Sequence, residues 1–386
     1  MTTDKNDDTL EKKLKICASC SNCREKCPTY QIKPLEEHFA GGRMRVLRAY
    51  TENQIPIDLL LQSNSFFCTT CRACEIDCPV DYSYVKYIED IRKHINSTLK
   101  SIPEKLRNII ESIRVEDNPY GESKTNRATW IPKEIQISSN APIAYFAGCT
   151  ITYRDTDSVI KCAKLLSKIL DGQIQLLGEQ EFCCGSVLLR TGIDESEYFS
   201  LKTYLEQKIQ LIESKQIKTI IFNCSGCYKT VSQDWPRILN RELPFKPIHI
   251  TQFLAEMIKN KKIQLKTNLP SVKVIYHDPC HLGRHMGIYN EPRSILNVLP
   301  TIRLNEFDRN KENALCCGAG GGFRALFPIE AINIAENRVK EAIEKECEEI
   351  VTSCVFCKLN LKAAIESLQI PIKISNIEDV IFDFLY

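Results

Sequence analysis

The sequence predicts a mixed α+α/β fold, in which an N-terminal helical domain precedes two duplicated α/β domains with parallel sheets. Two cysteine runs of one type stand in the N-terminal part, and apolar residues at helical spacing lie between them. Beyond residue 140, a longer pattern of strands, helices and cysteines occurs twice. Because strand-like runs alternate with amphipathic helices in each copy, parallel α/β layers are expected.

These observations divide the chain into four parts. We expect a helical domain over residues 1–100. Residues 101–140 are polar and rich in turn-forming residues, which is typical of a linker. The first duplicated domain is expected over residues 141–262 and the second over residues 270–386.

Bulk composition indicates a globular protein with sizeable cores, since 43% of the 386 residues are hydrophobic. Lys and Arg total 51 against 49 Asp and Glu, a balance that argues against nucleic-acid binding. The N-terminus has no secretory signal pattern, and no apolar stretch is long enough to span a bilayer. We therefore expect a cytoplasmic protein, which would reach the inner face of the membrane only through a partner subunit.

The helical domain is expected to hold two cubane 4Fe–4S clusters. Each of its cysteine runs has the form Cys-x2-Cys-x2-Cys-x3-Cys-Pro, whereas zinc sites use paired Cys-x2-Cys motifs. In two-cluster proteins the fourth cysteine of each run usually ligates the other cluster. The expected ligands are therefore Cys17, Cys20, Cys23 and Cys78 for cluster 1, and Cys68, Cys71, Cys74 and Cys27 for cluster 2. Two clusters this close in sequence predict a one-electron relay, as in a two-cluster ferredoxin domain.

In each duplicated domain, cysteines follow strand-like runs. Ile143–Phe146 leads to the lone cysteine of copy one, and Val272–Tyr276 leads to that of copy two. A Cys-Cys-Gly and then a Cys-x2-Cys follow in both copies. Open α/β sheets place their sites at the carboxyl ends of strands, which is where these cysteines stand. The two sets are Cys149, Cys183, Cys184, Cys224 and Cys227, and Cys280, Cys316, Cys317, Cys354 and Cys357.

The recurring Cys-Cys-Gly indicates an unusual metal centre. Adjacent cysteines point in different directions, so they rarely serve one tetrahedral ion, yet they can ligate different irons of a larger, open cluster. A glycine after each pair, Gly185 and Gly318, lets the backbone approach sulfide closely. A disulfide framework belongs to short secreted chains, so metal-bound thiolates are the better interpretation. Only Cys162 and Cys347 lie outside the repeated patterns, and both are expected in the core.

Several stretches resemble a known family, the CCG-domain proteins. They are Gly148–Thr150, Cys183–Ser186 with Leu189–Gly192, His277–His285 and Cys316–Gly322. With the two-cluster ferredoxin domain in front, the chain from about residue 15 onward is similar to the family of heterodisulfide reductase D-type subunits. It also resembles, less closely, the iron–sulfur subunits of glycolate and lactate dehydrogenases.

The resemblance implies that each duplicated domain is a CCG domain, whose complete five-cysteine set holds a noncubane 4Fe–4S cluster. It further implies the catalytic subunit of a complex, which relays electrons through the cubane clusters to the paired noncubane clusters and reduces a small disulfide to two thiols, or runs the reverse reaction. The electron donor or acceptor would be a membrane cytochrome b or a flavoprotein. Glycolate-type relatives commonly lack the first cysteine of the last pair. This chain keeps Cys224 and Cys354, which favours the disulfide-reducing interpretation.

Two other functions stay open at this point. The chain could be the electron-transfer subunit of a flavin-dependent 2-hydroxyacid dehydrogenase, of the glycolate or lactate type. Since the sequence has no dinucleotide fingerprint, a partner would then hold the flavin. It could also be a non-catalytic electron-relay scaffold to a membrane cytochrome.

Three histidines flank Cys280 at intervals of four residues, namely His277, His281 and His285. A helical zinc site is not expected from them, because Pro279 interrupts a helix near its start. A reductase that forms two thiols needs two protons, so His281 and His285 are candidate proton donors. The alternative is that the histidines only pack.

Two further features near the cysteines have alternative interpretations. Arg154, Arg190 and Arg284 could hold an anionic substrate, or they could form ordinary salt bridges. The glycine run Gly318–Gly322 lacks the spacing of a dinucleotide-binding loop, since position 323 is Phe. It is expected to lie against a cluster.

Overall fold

The computed structural model describes residues 8–193, 195–196 and 199–385. Its N-terminal part is helical, as the sequence predicts. The helices there are α1 (Asp8–Ile16), α2 (Pro28–Ile32), α3 (Ala40–Thr51), α4 (Leu59–Phe66), α5 (Tyr84–Leu99) and α6 (Glu104–Glu116). Apolar side chains of α3 and α5 form a core of their own, which includes Met44, Leu47, Ile88 and Ile95. The first cysteine run precedes α2, and the second lies between α4 and α5.

Local sequence fixes where two of these helices begin. Pro28 occupies the first turn of α2, where a missing N–H costs nothing, so the helix begins directly after Cys27. The carboxylate of Asp58 accepts a hydrogen bond of 2.8 Å from the N–H of Leu61 and caps α4. Pro28 therefore fixes where the first cysteine loop ends.

Helix α6 lies in the segment 101–140, for which the sequence predicts a linker. Its apolar residues recur at helical spacing, and Leu106, Ile110 and Ile113 are buried in the large core that also contains the first sheet. A 3₁₀ turn over Lys124–Ala128 follows the helix. This segment is thus folded against the first α/β domain rather than extended, and the exact domain boundaries stay a prediction.

The first α/β domain is built around a four-stranded parallel sheet. Its strands are β1 (Ile143–Phe146), β2 (Gln175–Leu176), β5 (Thr219–Phe222) and β6 (Lys246–His249), and a separate antiparallel pair is formed by β3 (Glu195–Ser196) and β4 (Phe199–Ser200). The helices are α7 (Cys149–Arg154), α8 (Thr156–Ile169), α9 (Ser186–Thr191), α10 (Leu201–Ser214), α11 (Ser225–Lys229), α12 (Trp235–Leu239) and α13 (Ile250–Lys259). The order in the sheet is β2-β1-β5-β6. A π-helical turn over Thr230–Asp234 joins α11 to α12.

The second α/β domain repeats this architecture. Its strands are β7 (Val272–His277), β8 (Ile302–Glu306), β9 (Glu349–Thr352) and β10 (Lys373–Asn376). Its helices are α14 (Asn290–Val298), α15 (Phe323–Leu326), α16 (Pro328–Glu344), α17 (Val355–Leu368) and α18 (Ile377–Phe384). The order β8-β7-β9-β10 is parallel throughout and matches the first sheet strand for strand. The predicted fold class, a helical domain followed by duplicated parallel α/β domains, is confirmed.

The two α/β domains pack through equivalent helices. Helix α8 packs against α18, and α13 packs against α14. Since α8 corresponds to α14 and α13 to α18, the two contacts are related by a pseudo-two-fold axis. Buried polar pairs cross the interface: Ser158 donates to the carboxylate of Asp379 (2.7 Å), which also accepts from Lys358 (3.0 Å). The Asn223 side chain donates to that of Glu378 (3.1 Å).

Arg92 of α5 lies where all three domains meet, and it is fully buried. Its guanidinium donates to the main-chain carbonyls of Ser65 and Cys68 in the helical domain, at 2.8 to 3.0 Å. It also donates to the carbonyl of Arg190 in the first α/β domain (2.6 Å) and to that of Gly321 in the second (3.0 Å). Because a buried carbonyl without a donor is costly, these bonds hold the three domains in one arrangement.

The glycine run of the second α/β domain lies against the second cysteine run. A Cβ atom on Gly320 would stand 2.6 Å from the carbonyl oxygen of Thr69, and one on Gly321 would stand 2.6 Å from that of Cys68. Gly321 also has a φ of +66°, in the left-handed region. Glycine is therefore required here for a close approach of two backbones.

We expect Gly321→Ala to destabilise the protein by about 3 kcal/mol or more, because the new methyl group meets backbone that cannot move aside. Gly287→Ala is the matched control, since Gly287 has a φ of +73° but no atom within 4 Å of an added Cβ. That variant should lose only the about 1–2 kcal/mol of left-handed strain. Urea unfolding of both variants measures the difference, and equal losses would contradict the close approach.

Candidate functional site

The eight cysteines of the helical domain line two neighbouring cavities. One cavity, with about 430 Å³ of empty space including its mouth, is lined by Cys17, Cys20, Cys23, Cys74 and Cys78. The other, of about 290 Å³, is lined by Cys27, Cys68, Cys71 and Cys74. The fourth cysteine of each run thus lines the cavity of the other run. This is the grouping that crossed ligation predicts, and the ligand assignment itself stays a prediction.

The two cysteine runs have the same backbone conformation. Ser19 and Ser21 in the first run have positive φ, and so do Thr70 and Arg72 at the matching positions of the second. Such conformations are uncommon outside glycine and persist where the surroundings require them. They let main-chain N–H groups approach the thiols, as in the bond from Thr70 to the Sγ of Cys68 (3.4 Å).

The first five-cysteine set gathers where the strands of the first sheet end. Cys149 begins α7 just after β1, and Cys224 precedes α11 just after β5. All five residues of the set are buried. The thiols interact in four pairs: Cys149 with Cys183, Cys183 with Cys184, Cys184 with Cys227, and Cys224 with Cys227. These five cysteines therefore form one connected group of sulfurs.

The second set has the same arrangement. The Sγ atoms of Cys317 and Cys357 lie 3.2 Å apart, and the thiols of Cys280 and Cys316 interact. Cys354, after β9, interacts with Cys357. The glycine after each Cys-Cys pair has a φ above +80° and donates its N–H to the first sulfur of that pair. These bonds run from Gly185 to Cys183 (3.4 Å) and from Gly318 to Cys316 (3.3 Å).

The thiols of the three domains form a continuous line. At one end the Cys71 thiol, which lines a cavity of the helical domain, interacts with Cys316 of the second set. In the middle the Cys224 thiol of the first set interacts with Cys354 of the second. The second set therefore lies between the helical domain and the first set.

The donor sets have the chemistry that iron–sulfur clusters require. They consist of thiols, and hydrogen bonds from backbone N–H groups reach several of the sulfurs, which is a feature that tunes such clusters. Burial raises the pKa of the Cys23 thiol to about 11, and it raises the pKa values of Cys74 and Cys149 well above the ordinary value. These thiols would stay protonated at neutral pH unless a bound cation favoured the thiolate. The residues thus fit iron–sulfur clusters.

The three histidines do not form one helical face. His277 ends β7, and its ring lies with the thiols of Cys317 and Cys357, the three ligand atoms being within 4.8 Å of one another. The rings of His281 and His285 lie 4.5 Å apart, and His285 contacts the carbonyl of Thr70 at 3.1 Å. Burial lowers the pKa values of His277 and His281 to about 3, so both rings are neutral at pH 7.

The two α/β-domain arginines near the first set are engaged in ion pairs. Arg190 pairs with Glu89 of α5 and with Asp234, which also pairs with Lys229 at 2.8 Å. Arg154 contacts Glu122 at 2.7 Å. These contacts favour the salt-bridge interpretation over a substrate-binding role.

Arg284 binds backbone instead of an acidic side chain. Its Nε donates to the carbonyl of Cys71 (2.7 Å), and its Nη1 donates to those of Ala314 (2.5 Å) and Glu312 (3.1 Å). Arg284 therefore ties the second α/β domain to the second cysteine run.

Cys162 and Cys347 are buried, in keeping with their expected place in the core.

Sequence patterns gave no sign of one buried contact at the first set. The Nη2 of Arg127 donates to the Sγ of Cys149 at 2.9 Å. Arg127 stands in a polar stretch that is typical of a linker, with no motif around it. Only the folding of α6 and the following 3₁₀ turn against the first α/β domain brings it to the site.

Comparison with known proteins identifies the family. The model of the 4Fe-4S dicluster domain matches residues 13–82, and that of the CCG cysteine-rich domain matches residues 143–232 and 274–362. The D-type subunit of the dihydromethanophenazine:CoB–CoM heterodisulfide reductase of Methanosarcina barkeri is 34% identical over 96% of this chain and 94% of its own length. The chain belongs to the family of heterodisulfide reductase D-type subunits.

A second relative agrees with this family. The corresponding subunit from Methanosarcina mazei is 33% identical, again over 96% of this chain and 94% of its own length. A solved hypothetical protein from Helicobacter pylori has a TM-score of 0.56 over 99% of this chain and 73% of that one, and at 10% identity it shows the fold alone. The predicted resemblance is confirmed, and the chain is an iron–sulfur oxidoreductase of the heterodisulfide reductase D-type family. Among the described residues of this family member, no helix is long and apolar enough to cross a membrane.

Crossed ligation can be tested with serine substitutions in this heterodisulfide reductase D-type chain. We expect Cys78→Ser to alter the same cluster signal as Cys20→Ser and a different one from Cys71→Ser, because Cys78 and Cys20 line one cavity. EPR-monitored reductive titration of the iron-loaded protein resolves the signals, with Cys347→Ser as the control. Ligation is uncrossed if Cys78→Ser and Cys71→Ser change the same signal.

Proposed function

We propose that this protein is the catalytic subunit of a complex that reduces a small disulfide to two thiols, or runs the reverse reaction. The observation that supports this most strongly is the meeting of Cys224 and Cys354. They belong to two complete five-cysteine sets, and they interact across the interface between the α/β domains. A disulfide cleaved between the two sets would have a sulfur-binding centre on each side.

We assign ten cysteines as ligands of two noncubane 4Fe–4S clusters and eight as ligands of two cubane ones. The noncubane sets are Cys149, Cys183, Cys184, Cys224 and Cys227, and Cys280, Cys316, Cys317, Cys354 and Cys357. The cubane sets are Cys17, Cys20, Cys23 and Cys78, and Cys68, Cys71, Cys74 and Cys27. Clusters held there would supply one-electron carriers and, at the noncubane sets, Lewis-acidic iron for sulfur.

Contacts between cysteines support one order for these centres. Contact between Cys71 and Cys316 brings the second set next to the helical domain, and contact between Cys354 and Cys224 brings the first set next to the second. We infer that electrons arrive at the helical domain one at a time and leave at the two five-cysteine sets.

Cleavage of a disulfide consumes two electrons and two protons, and one S–S bond gives two S–H bonds. We assign His281 and His285 as proton donors, because the Nδ1 of His281 lies 3.8 Å from the Sγ of Cys280 and its Nε2 is buried without a partner. Burial lowers the pKa values of both rings, so each is neutral at pH 7. Each would pass the proton of its ring N–H to a thiolate while its other nitrogen takes up a replacement proton.

The partner of this protein would be a second protein that exchanges electrons with the helical domain. We propose a membrane cytochrome b or a flavoprotein for this role. The relatives whose sequences match nearly full length are themselves named as subunits of a heterodisulfide reductase.

The purified, anaerobically reconstituted protein is expected to hold about 16 iron atoms per chain, the sum for four 4Fe–4S clusters. Addition of a thiol substrate to the oxidised protein should produce a new EPR signal. The reason is that its thiolate would bind at a five-cysteine set, where a sulfur of the cleaved disulfide would bind during the reaction. Absence of a thiol-dependent signal would favour the electron-transfer or scaffold alternatives. An iron content near eight atoms per chain, enough for two 4Fe–4S clusters, would support only electron transfer through the helical domain.

Serine substitution at Cys224 or Cys354 should abolish the thiol-dependent signal and lower disulfide reductase activity by ~100-fold or more, since ligand changes cost at least as much as changes in the groups that support ligands. The cubane signals should be unchanged. Cys347→Ser, at a buried cysteine outside both sets, is the control. Full activity in the Cys224→Ser and Cys354→Ser variants would contradict a reaction at this junction.

A further inference from the structure

Arg127 reaches the first cysteine set from a part of the chain that neither domain model covers, the 3₁₀ turn Lys124–Ala128 after α6. The residue is 1% exposed. Its Nη2 donates to the Sγ of Cys149 at 2.9 Å, while its Nη1 donates to the carbonyls of Asp117 (3.0 Å) and Glu181 (2.8 Å). The guanidinium is therefore held in place by backbone, with one edge turned to a ligand sulfur.

The carboxylate of Glu181 completes this arrangement. It accepts the N–H groups of Ala147 and Gly148, each at 2.9 Å, and so holds the turn that presents Cys149. Its Oε1 lies 3.6 Å from the Nε of Arg127. The buried surroundings of Cys149 thus contain one positive group bonded to the sulfur and one negative group bonded to the neighbouring backbone.

The second set lacks this pair among the residues that the structure describes. The position that precedes the Cys-Cys pair by two residues is Glu181 in the first copy and Ala314 in the second. Arg284, a buried guanidinium that attracts the sulfurs of Cys280 and Cys316 through space, uses its Nε and Nη1 on the carbonyls of Cys71, Ala314 and Glu312, and its Nη2 has no hydrogen-bond partner. Among the described residues, the duplicated domains therefore differ in the hydrogen bond from a guanidinium to a ligand sulfur, which the first set has through Arg127.

A hydrogen bond from a cation to a ligand sulfur stabilises the more negative, reduced form of an iron–sulfur centre and so raises its reduction potential. Arginine stays charged at every physiological pH, and burial leaves little water to screen it. The contact from Arg127 to Cys149 has this geometry. Glu181 opposes the effect through space but has no bond to the sulfur.

We propose that Arg127 is a positioning residue that raises the reduction potential of the centre held by the first cysteine set. Because of its higher reduction potential, the centre at the first set would be the last electron acceptor along the line of thiols that starts at Cys71. The inference rests on the proposed function, since it assigns a cluster to that set. No bond forms or breaks, and each electron comes from the partner that reduces the helical domain.

Three variants of the full-length, iron-loaded protein test the proposal by EPR-monitored redox titration. Arg127→Met should make reduction of the first-set centre at least about tenfold less favourable, which for a one-electron couple is about 59 mV to lower potential. Arg127→Lys keeps the charge without the forked hydrogen bonds and should shift the potential less. Glu181→Gln removes the opposing charge and should shift it in the other direction.

Two controls assign the effect to the first set. The signal that changes in Cys149→Ser identifies its centre, and the second-set potential should stay constant in all three variants. Arg338→Met removes another fully buried arginine, whose hydrogen bonds go to Glu341 and the carbonyl of Arg309, and should leave the first-set potential unchanged.

The proposal is wrong if Arg127→Met and Glu181→Gln leave the first-set potential unchanged, or if both sets shift together. If Arg127→Met does not load iron, Arg127→Lys decides, since a lower first-set potential in that variant supports the proposal and an unchanged one contradicts it. Loss of iron from all three variants would show that Arg127 serves assembly and not potential. With normal iron content and a thiol-dependent signal, unchanged potentials overturn this inference alone, whereas absence of noncubane signals overturns the proposed function as well.

Discussion

The structure depends on the buried guanidinium of Arg92. Its hydrogen bonds end on main-chain carbonyls of the helical domain and of both α/β domains, so its removal would leave unpaired acceptors in all three. One of those carbonyls belongs to Cys68 and another to Gly321, whose backbones touch. The same junction brings Cys71 against Cys316. The packing of the domains at this junction therefore also sets the contact between the second cysteine run and the second five-cysteine set.

Duplication supplies the second constraint. Neither α/β domain alone brings Cys224 and Cys354 together, because that meeting is created by the pseudo-symmetric packing of equivalent helices. Buried polar pairs such as Asn223 with Glu378 make the packing specific, since each side chain would otherwise lack a partner. The proposed chemistry thus needs both copies in this one arrangement.

Much of the fold and of the candidate site could be predicted from the sequence, because cysteine spacing and strand-ending patterns are local signals. They predicted the parallel sheets, the two ferredoxin-type runs and the membership of each five-cysteine set. The roles of Arg92 and Arg127 could not be predicted, because an arginine is buried only when distant carbonyls and sulfurs surround it. The glycine run was expected to lie against a cluster. Gly318 does bond the Cys316 sulfur, whereas Gly320 and Gly321 instead fit against the backbone of the second cysteine run.

The pseudo-symmetric interface also limits how the two copies can diverge in evolution. A change at Ser158 alters the surroundings of Asp379, so a substitution at one of these positions would leave a buried polar group of the other without its partner. Positions outside it are free of this coupling, and the copies already differ there, with Glu181 in one and Ala314 in the other. After an ancestral gene duplication, such an arrangement preserves the shared fold while the electrostatic surroundings of the two cysteine sets become different.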